Sequence, residues 1–232
     1  MVITPNTLLR SAGVAAVAAG TIFIGVQINH PYLDAASVTT TEVVVRDSLK
    51  VLMTVLALVG ITGMYLRQVR EVGLTGLIGY LLLSLGYVVI MCTSFVAAYV
   101  LPTIAGTDTS YVNDVTAAAT NRGGAGDIGL LEQAIQLQGV GYLLGGLVFG
   151  IALYRARVLS RWASALLAVG GVVSIALSLM PDAFYRYLAF PNGIAMIGLG
   201  WSLWSSVRTD SADTAATQTA TGSSRVSTAG AR

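Results

Sequence analysis

Apolar residues fall in six long blocks along this chain, at 11–28, 50–66, 74–101, 134–154, 162–180 and 189–207. Apart from Lys50 at the edge of the second, no block holds a charged residue. Each is close to the roughly 20 residues that a helix needs to cross a hydrocarbon layer of about 30 Å. The pattern predicts an all-α protein, a six-helix transmembrane bundle over residues 1–208. The third block is longer than a crossing needs, which predicts tilt or an interfacial first turn. All five prolines (Pro5, Pro31, Pro102, Pro181, Pro191) lie at block ends or outside blocks. Proline inside a helix removes a hydrogen bond and clashes with the preceding turn, so these positions read as boundaries. Pro191 belongs to the first turn of the last helix, where its missing N–H costs nothing.

The polar stretches complete the layout. The longest connection is 102–131, of a length that is often functional or disordered, and its middle, 110–120, is able to form a short helix. From 209 to 232 the chain is rich in Ser, Thr, Ala and Gly with no apolar period, which predicts a disordered tail. The first block follows Arg10, like a signal peptide, but 27–31 (Gln-Ile-Asn-His-Pro) lacks a small-x-small cleavage site.

Charge orients the bundle. Arg10, Arg67, Arg70, Arg155, Arg157, Arg161 and Arg208 fall on one side of the alternating connections; Arg46, Lys50, Arg122 and Arg186 fall on the other. Asp34, Glu42, Asp47, Asp108, Asp114, Asp127, Glu132 and Asp182 accompany the second set. The positive-inside rule makes the arginine-rich side cytoplasmic, with both termini there. Trp162, Trp201, Trp204, Tyr65 and Tyr154 sit at the same ends, as interfacial aromatics do. The tail is then cytoplasmic.

Composition narrows the chemistry. The chain is 55% hydrophobic and 10% charged, too apolar for a soluble domain, which averages about 25% charged residues. The formal charge of +2 is explained by topology and gives no reason to expect nucleic acid. One cysteine, Cys92, and one histidine, His30, leave no disulfide framework, no cysteine metal site and no bis-histidine haem within one chain. Lys50 is at a block edge, where a retinal Schiff base would not form. No cofactor and no metal are expected, and no nucleophile–base pair stands out. Ser164, Ser174 and Ser178 read as backbone-bonding serines of a span.

Four groups remain as candidates. Gly141, Gly145, Gly146 and Gly150 form two G-x-x-x-G spacings in the fourth block, which let helix backbones approach closely. They read as packing within one chain or as a homodimer contact. Gln133, Gln136 and Gln138 enter the fourth block from outside and, with Asn192, are candidate polar lining of a cavity. Hydrogen bonds between helices account for them equally well. Arg155, Arg157 and Arg161, beside Trp162, are candidate contacts for lipid head groups. His30, next to Pro31, reads as an interface cap. Residues 124–129 match G-x-G-x-x-G, but without the strand–turn–helix context that a dinucleotide site requires.

Three stretches carry a resemblance: Asn29-His30-Pro31; 58–80, from Leu-Val-Gly-Ile-Thr-Gly-Met-Tyr-Leu-Arg through Gly-Leu-Ile-Gly-Tyr; and 144–162, ending Arg-Ala-Arg-Val-Leu-Ser-Arg-Trp. Over most of 8–204 the chain resembles small, uncharacterised multi-span membrane proteins of high-GC Gram-positive bacteria, related to the DUF4386-type proteins. The resemblance implies six helices and a bacterial plasma membrane, and no catalytic residue comes with it. The expectation is a non-enzymatic integral membrane protein acting through lipid, assembly (a homo-oligomer) or a membrane-protein partner. The alternative is a carrier or binding protein for a neutral or apolar small molecule.

Overall fold

In the computed structural model, residues 4–120, 122, 126–178 and 190–207 are described. Every regular element among them is helical. They are α1 (Pro5–Gly25), a 3-10 turn (Ser37–Thr39), α2 (Thr41–Arg67), α3 (Gly73–Ile104), α4 (Thr109–Ala119), α5 (Leu130–Ala156), α6 (Arg161–Ser178) and α7 (190–207). Four of them, α1, α2, α3 and α5, are long and apolar enough to cross a membrane. The predicted tail at 209–232 lies outside the described residues, as do Pro181, Asp182 and Arg186.

Several boundaries differ from the apolar blocks. Helix α1 starts at Pro5 rather than 11, because Pro5 sits at its first turn and the Thr4 side chain accepts from Thr7 N–H. Helix α2 starts nine residues before its block. Thr40 caps it by accepting from Val43 N–H, Glu42 lies in its first turn, and Glu42–Arg46 and Asp47–Lys50 pair at helical spacing. Charges that ended the block are therefore neutralised within the helix. Helix α3 runs past Pro102. A π turn at Val96–Val100 precedes the proline and absorbs its missing donor, so Pro102 does not end the helix.

The long helices pack as antiparallel neighbours, in a ring ordered α1, α2, α3, α5, α6, α7 and back to α1. Small residues line the contacts. Gly60 and Gly63 of α2 meet Ala16 and Ala12 of α1; Gly79, Gly86 and Gly145 hold α3 against α5; Gly150 and Gly171 hold α5 against α6; Gly13 and Gly200 close α1 on α7. Small side chains let backbones approach to contact distance, which supplies the packing that the hydrophobic effect cannot supply in lipid. Larger side chains fill the middle: Phe149, Ile61, Met64, Leu83, Leu153, Met196, Leu199 and Leu203 are all buried in one cluster.

One end of this ring carries Arg67, Arg70, Arg155, Arg157 and Arg161. At the other end a second, smaller core forms from Ala35, Val38, Leu101, Ala105, Val112, Val115 and Ile128. The connection 102–131 is thus ordered over its described part, and its predicted short helix is α4.

Candidate functional site at the capped end

The capped end begins with the close of α1. The last carbonyls of a helix have no partner inside it. Arg46, reaching across from α2, supplies one: its Nη1 donates to Val26 O at 3.0 Å and to Ile28 O at 2.9 Å, and its Nη2 to Asn29 O at 3.3 Å. A cation at a helix C-terminus also complements the macrodipole. The same guanidinium donates from Nε to Glu42 Oε1 at 3.0 Å.

One turn deeper lies a polar cluster. The Asp47 carboxylate is 3% exposed and accepts from Lys50 Nζ at 2.6 Å. Lys50 Nζ is also 3.3 Å from His30 Nε2, and His30 Nδ1 is 2.9 Å from Pro31 O. A carbonyl only accepts and an ammonium only donates. The tautomer with its proton on Nδ1 and the Nε2 lone pair turned to lysine satisfies both contacts. His30 ties the connection after α1 to the wall of α2, which gives the predicted interface cap a specific partner.

The connection then docks on α4. Ala35 N–H donates to Asn113 Oδ1 at 2.8 Å, and the Arg122 guanidinium lies 4.1 Å from the Tyr32 ring centre and donates to Leu33 O. The Asp34 carboxyl is held below the ordinary value of 3.8, chiefly by the Ser37 backbone N–H. Partial burial pulls it the other way, while the Ser37 hydroxyl, the Ala36 N–H and the Arg122 charge add to the lowering. Asp108 is lowered in the same way at the start of α4, first by Tyr111 N–H and then by the Ser110 hydroxyl.

The predicted polar lining is dispersed. Gln133 and Gln136 are exposed on the first turns of α5, and Gln136 Nε2 donates to Glu132 Oε1 at 3.4 Å. Gln138 Oε1 accepts from Thr93 Oγ1 of α3 at 2.6 Å. Asn192 is buried on α7 against Gly170 of α6. A hollow of about 450 Å³ lies between the end of α1 and the start of α2, and one of about 130 Å³ lies between α1 and the Trp201–Trp204 pair. None of the four polar residues lines either one.

Of the predicted glycines, Gly141, Gly145 and Gly150 face backbone. A Cβ at Gly150 would stand 2.5 Å from Ala168 N, and one at Gly145 would stand 2.5 Å from Leu83 Cα. Gly146 differs: its added Cβ would meet only Leu167 O, at 3.7 Å. Arg155, Arg157 and Arg161 are all exposed at the turn between α5 and α6. Arg157 adopts φ +60°, and Arg161 donates to Tyr154 OH at 2.7 Å while stacking 4.4 Å from its ring centre. Ser164 Oγ donates to Ser160 O, a backbone bond as expected; the side chains of Ser174 and Ser178 lie outside the described residues. Of the G-x-G-x-x-G stretch, Gly124 and Ala125 also lie outside them. Gly129 takes φ +62° at the cap of α5.

Asp47, Arg46 and Arg122 entered the sequence reading only as loop charges, and Asn113 not at all. The acid–base spacings 42/46 and 47/50 signal a charged helical face, but only the packed structure shows that Asp47 turns inward while Glu42 stays exposed. Among the described residues no three His, Cys, Asp or Glu side chains converge on a point. No protein family, no curated protein and no solved structure matches this chain.

Proposed function

We propose that this protein is a six-span, non-enzymatic protein of a bacterial plasma membrane, with both termini cytoplasmic, acting through lipid or protein contacts on its outer surface. The observation that carries this reading is the filled interior. Phe149 from α5, Ile61 and Met64 from α2, Leu83 from α3 and Met196 and Leu199 from α7 meet where a carrier would need a polar passage. The resemblance to small multi-span proteins of high-GC Gram-positive bacteria supports the same membrane and the same helix count. Charge supports the orientation: the exposed arginines of the α5–α6 turn suit an anionic inner leaflet, where each basic residue near the surface gains about 1 kcal/mol.

Native mass spectrometry of the detergent-purified protein tests the reading. The expected spectrum holds monomer or a small oligomer with lipid adducts. A discrete non-lipid mass retained on the monomer would replace this reading with that of a solute-binding protein.

A further inference from the structure

The hollow of about 450 Å³ at the capped end has walls of one kind and a mouth of another. Ile22 of α1, Val26 at its C-cap, and Val45 and Leu49 of α2 line it; Val45 is 50% exposed and Leu49 38%. Glu42 and Arg46 close the side nearer the cap. Arg46 is committed, because its donors go to three carbonyls and to Glu42. Glu42 is not. Both of its contacts with Arg46 use Oε1, its side chain is 57% exposed, and Oε2 accepts no hydrogen bond among the described residues.

An apolar trough along two helices, ending at a carboxylate oxygen that accepts no hydrogen bond among the described residues, matches a lipid whose head group carries N–H donors. We propose that this hollow binds a phospholipid with a primary-ammonium head group, a phosphatidylethanolamine, its upper acyl chain on Ile22, Val45 and Leu49 and its ammonium on Glu42 Oε2. Charge-assisted N–H···O bonds are stronger than neutral ones. Phosphatidylcholine, whose quaternary ammonium has no N–H, lacks that bond, and phosphatidylglycerol lacks the positive charge. The volume falls within the range of small-molecule sites, about 300–1,000 Å³. The assignment rests on the membrane-spanning reading above, but not on which face is cytoplasmic.

The test is native mass spectrometry of the full chain titrated with dioleoyl phosphatidylethanolamine, phosphatidylcholine and phosphatidylglycerol. The wild type should retain the ethanolamine lipid about tenfold over the choline lipid, the scale of one hydrogen bond to a charged group. Glu42→Gln should bring that ratio close to one, and Val45→Trp, which fills the trough, should remove the selective adduct. Size-exclusion profiles establish that both variants remain folded. Equal retention of the three lipids by the wild type, an unchanged ratio in Glu42→Gln, or an unaffected adduct in Val45→Trp would each overturn the proposal. Reporter fusions that reverse the topology would move the site to the other leaflet and leave these ratios as predicted, so the two failures are distinguishable.

Discussion

Gly145 and Gly146 are adjacent, equally small and part of equivalent G-x-x-x-G spacings, yet they do different work. The Cα of Gly145 faces the backbone of Leu82 and Leu83, while Gly146 faces space bounded by Leu167 O at 3.7 Å. Gly145→Ala should therefore destabilise the bundle by about 1–3 kcal/mol through overpacking. Gly146→Ala should be neutral, or stabilising by up to about 1 kcal/mol, because alanine in a helix loses less backbone entropy than glycine. Thermal unfolding of the two variants in one detergent checks the pair; equal losses would show that spacing, not contact, governs both. The buried carboxylate of Asp47 gives a second test at this scale. Asp47→Asn leaves the Lys50 ammonium without its counter-charge and should cost about 3 kcal/mol. Asp47→Asn with Lys50→Met should recover most of it, and a double-mutant cycle measures the coupling.

Among the elements, the cap shows how a polar connection becomes structure. Helix α4 is too short to be stable alone in water. Val112 and Val115 insert beside Val38, Leu101 and Ala105, while Asn113 and Arg122 hold the connection after α1. Asn113→Ala should raise hydrogen exchange in both 33–38 and 109–119, while the seam of α3 and α5 stays protected. An effect confined to α4 would mean that the two segments are not coupled. The cap should also respond to acid. Asp34 and Asp108 are folded with carboxyl values below the ordinary 3.8. Their contribution is present above the unfolded value and is lost as pH falls through the lower folded one. Exchange in the cap, corrected for intrinsic rates, should rise as pH drops below about 3.8, and Asp34→Asn should flatten part of that rise.

For the whole molecule, the testable quantity is orientation. A reporter fused after Arg208 is expected to report cytoplasm, and one inserted in 121–125 the opposite face; the reverse result would invert the topology.

Hydropathy alone was sufficient for the all-helical class; of the six blocks it marked, four became described helices of crossing length, and the short helix it allowed inside 102–131 is α4. These depend on local pattern, chiefly unbroken apolar runs, although Pro102 falls inside α3 rather than at its end. The same pattern placed the start of α2 nine residues late, because a window that counts charges does not see that Glu42 and Arg46, or Asp47 and Lys50, neutralise each other at helical spacing. It also grouped Gly146 with Gly145, and it set Gln138 on a different face of the helix from Gln133 and Gln136 without showing what either face meets. Which face of a helix meets a neighbour depends on the neighbour: Gln138 found Thr93, and Gln133 met no facing helix. The capped end is the clearest case. Arg46 bonds carbonyls 17 to 20 residues away, Lys50 meets His30 20 residues away, and Asn113 and Arg122 bond groups 78 and 89 residues away, which only helix pairing and cap docking bring within reach. The sequence by itself determined the helices, because lipid-length apolar runs satisfy their own backbone hydrogen bonds locally. The tertiary structure alone decided which polar groups meet and which glycines touch, because contact depends on the relative placement of helices that no single run encodes.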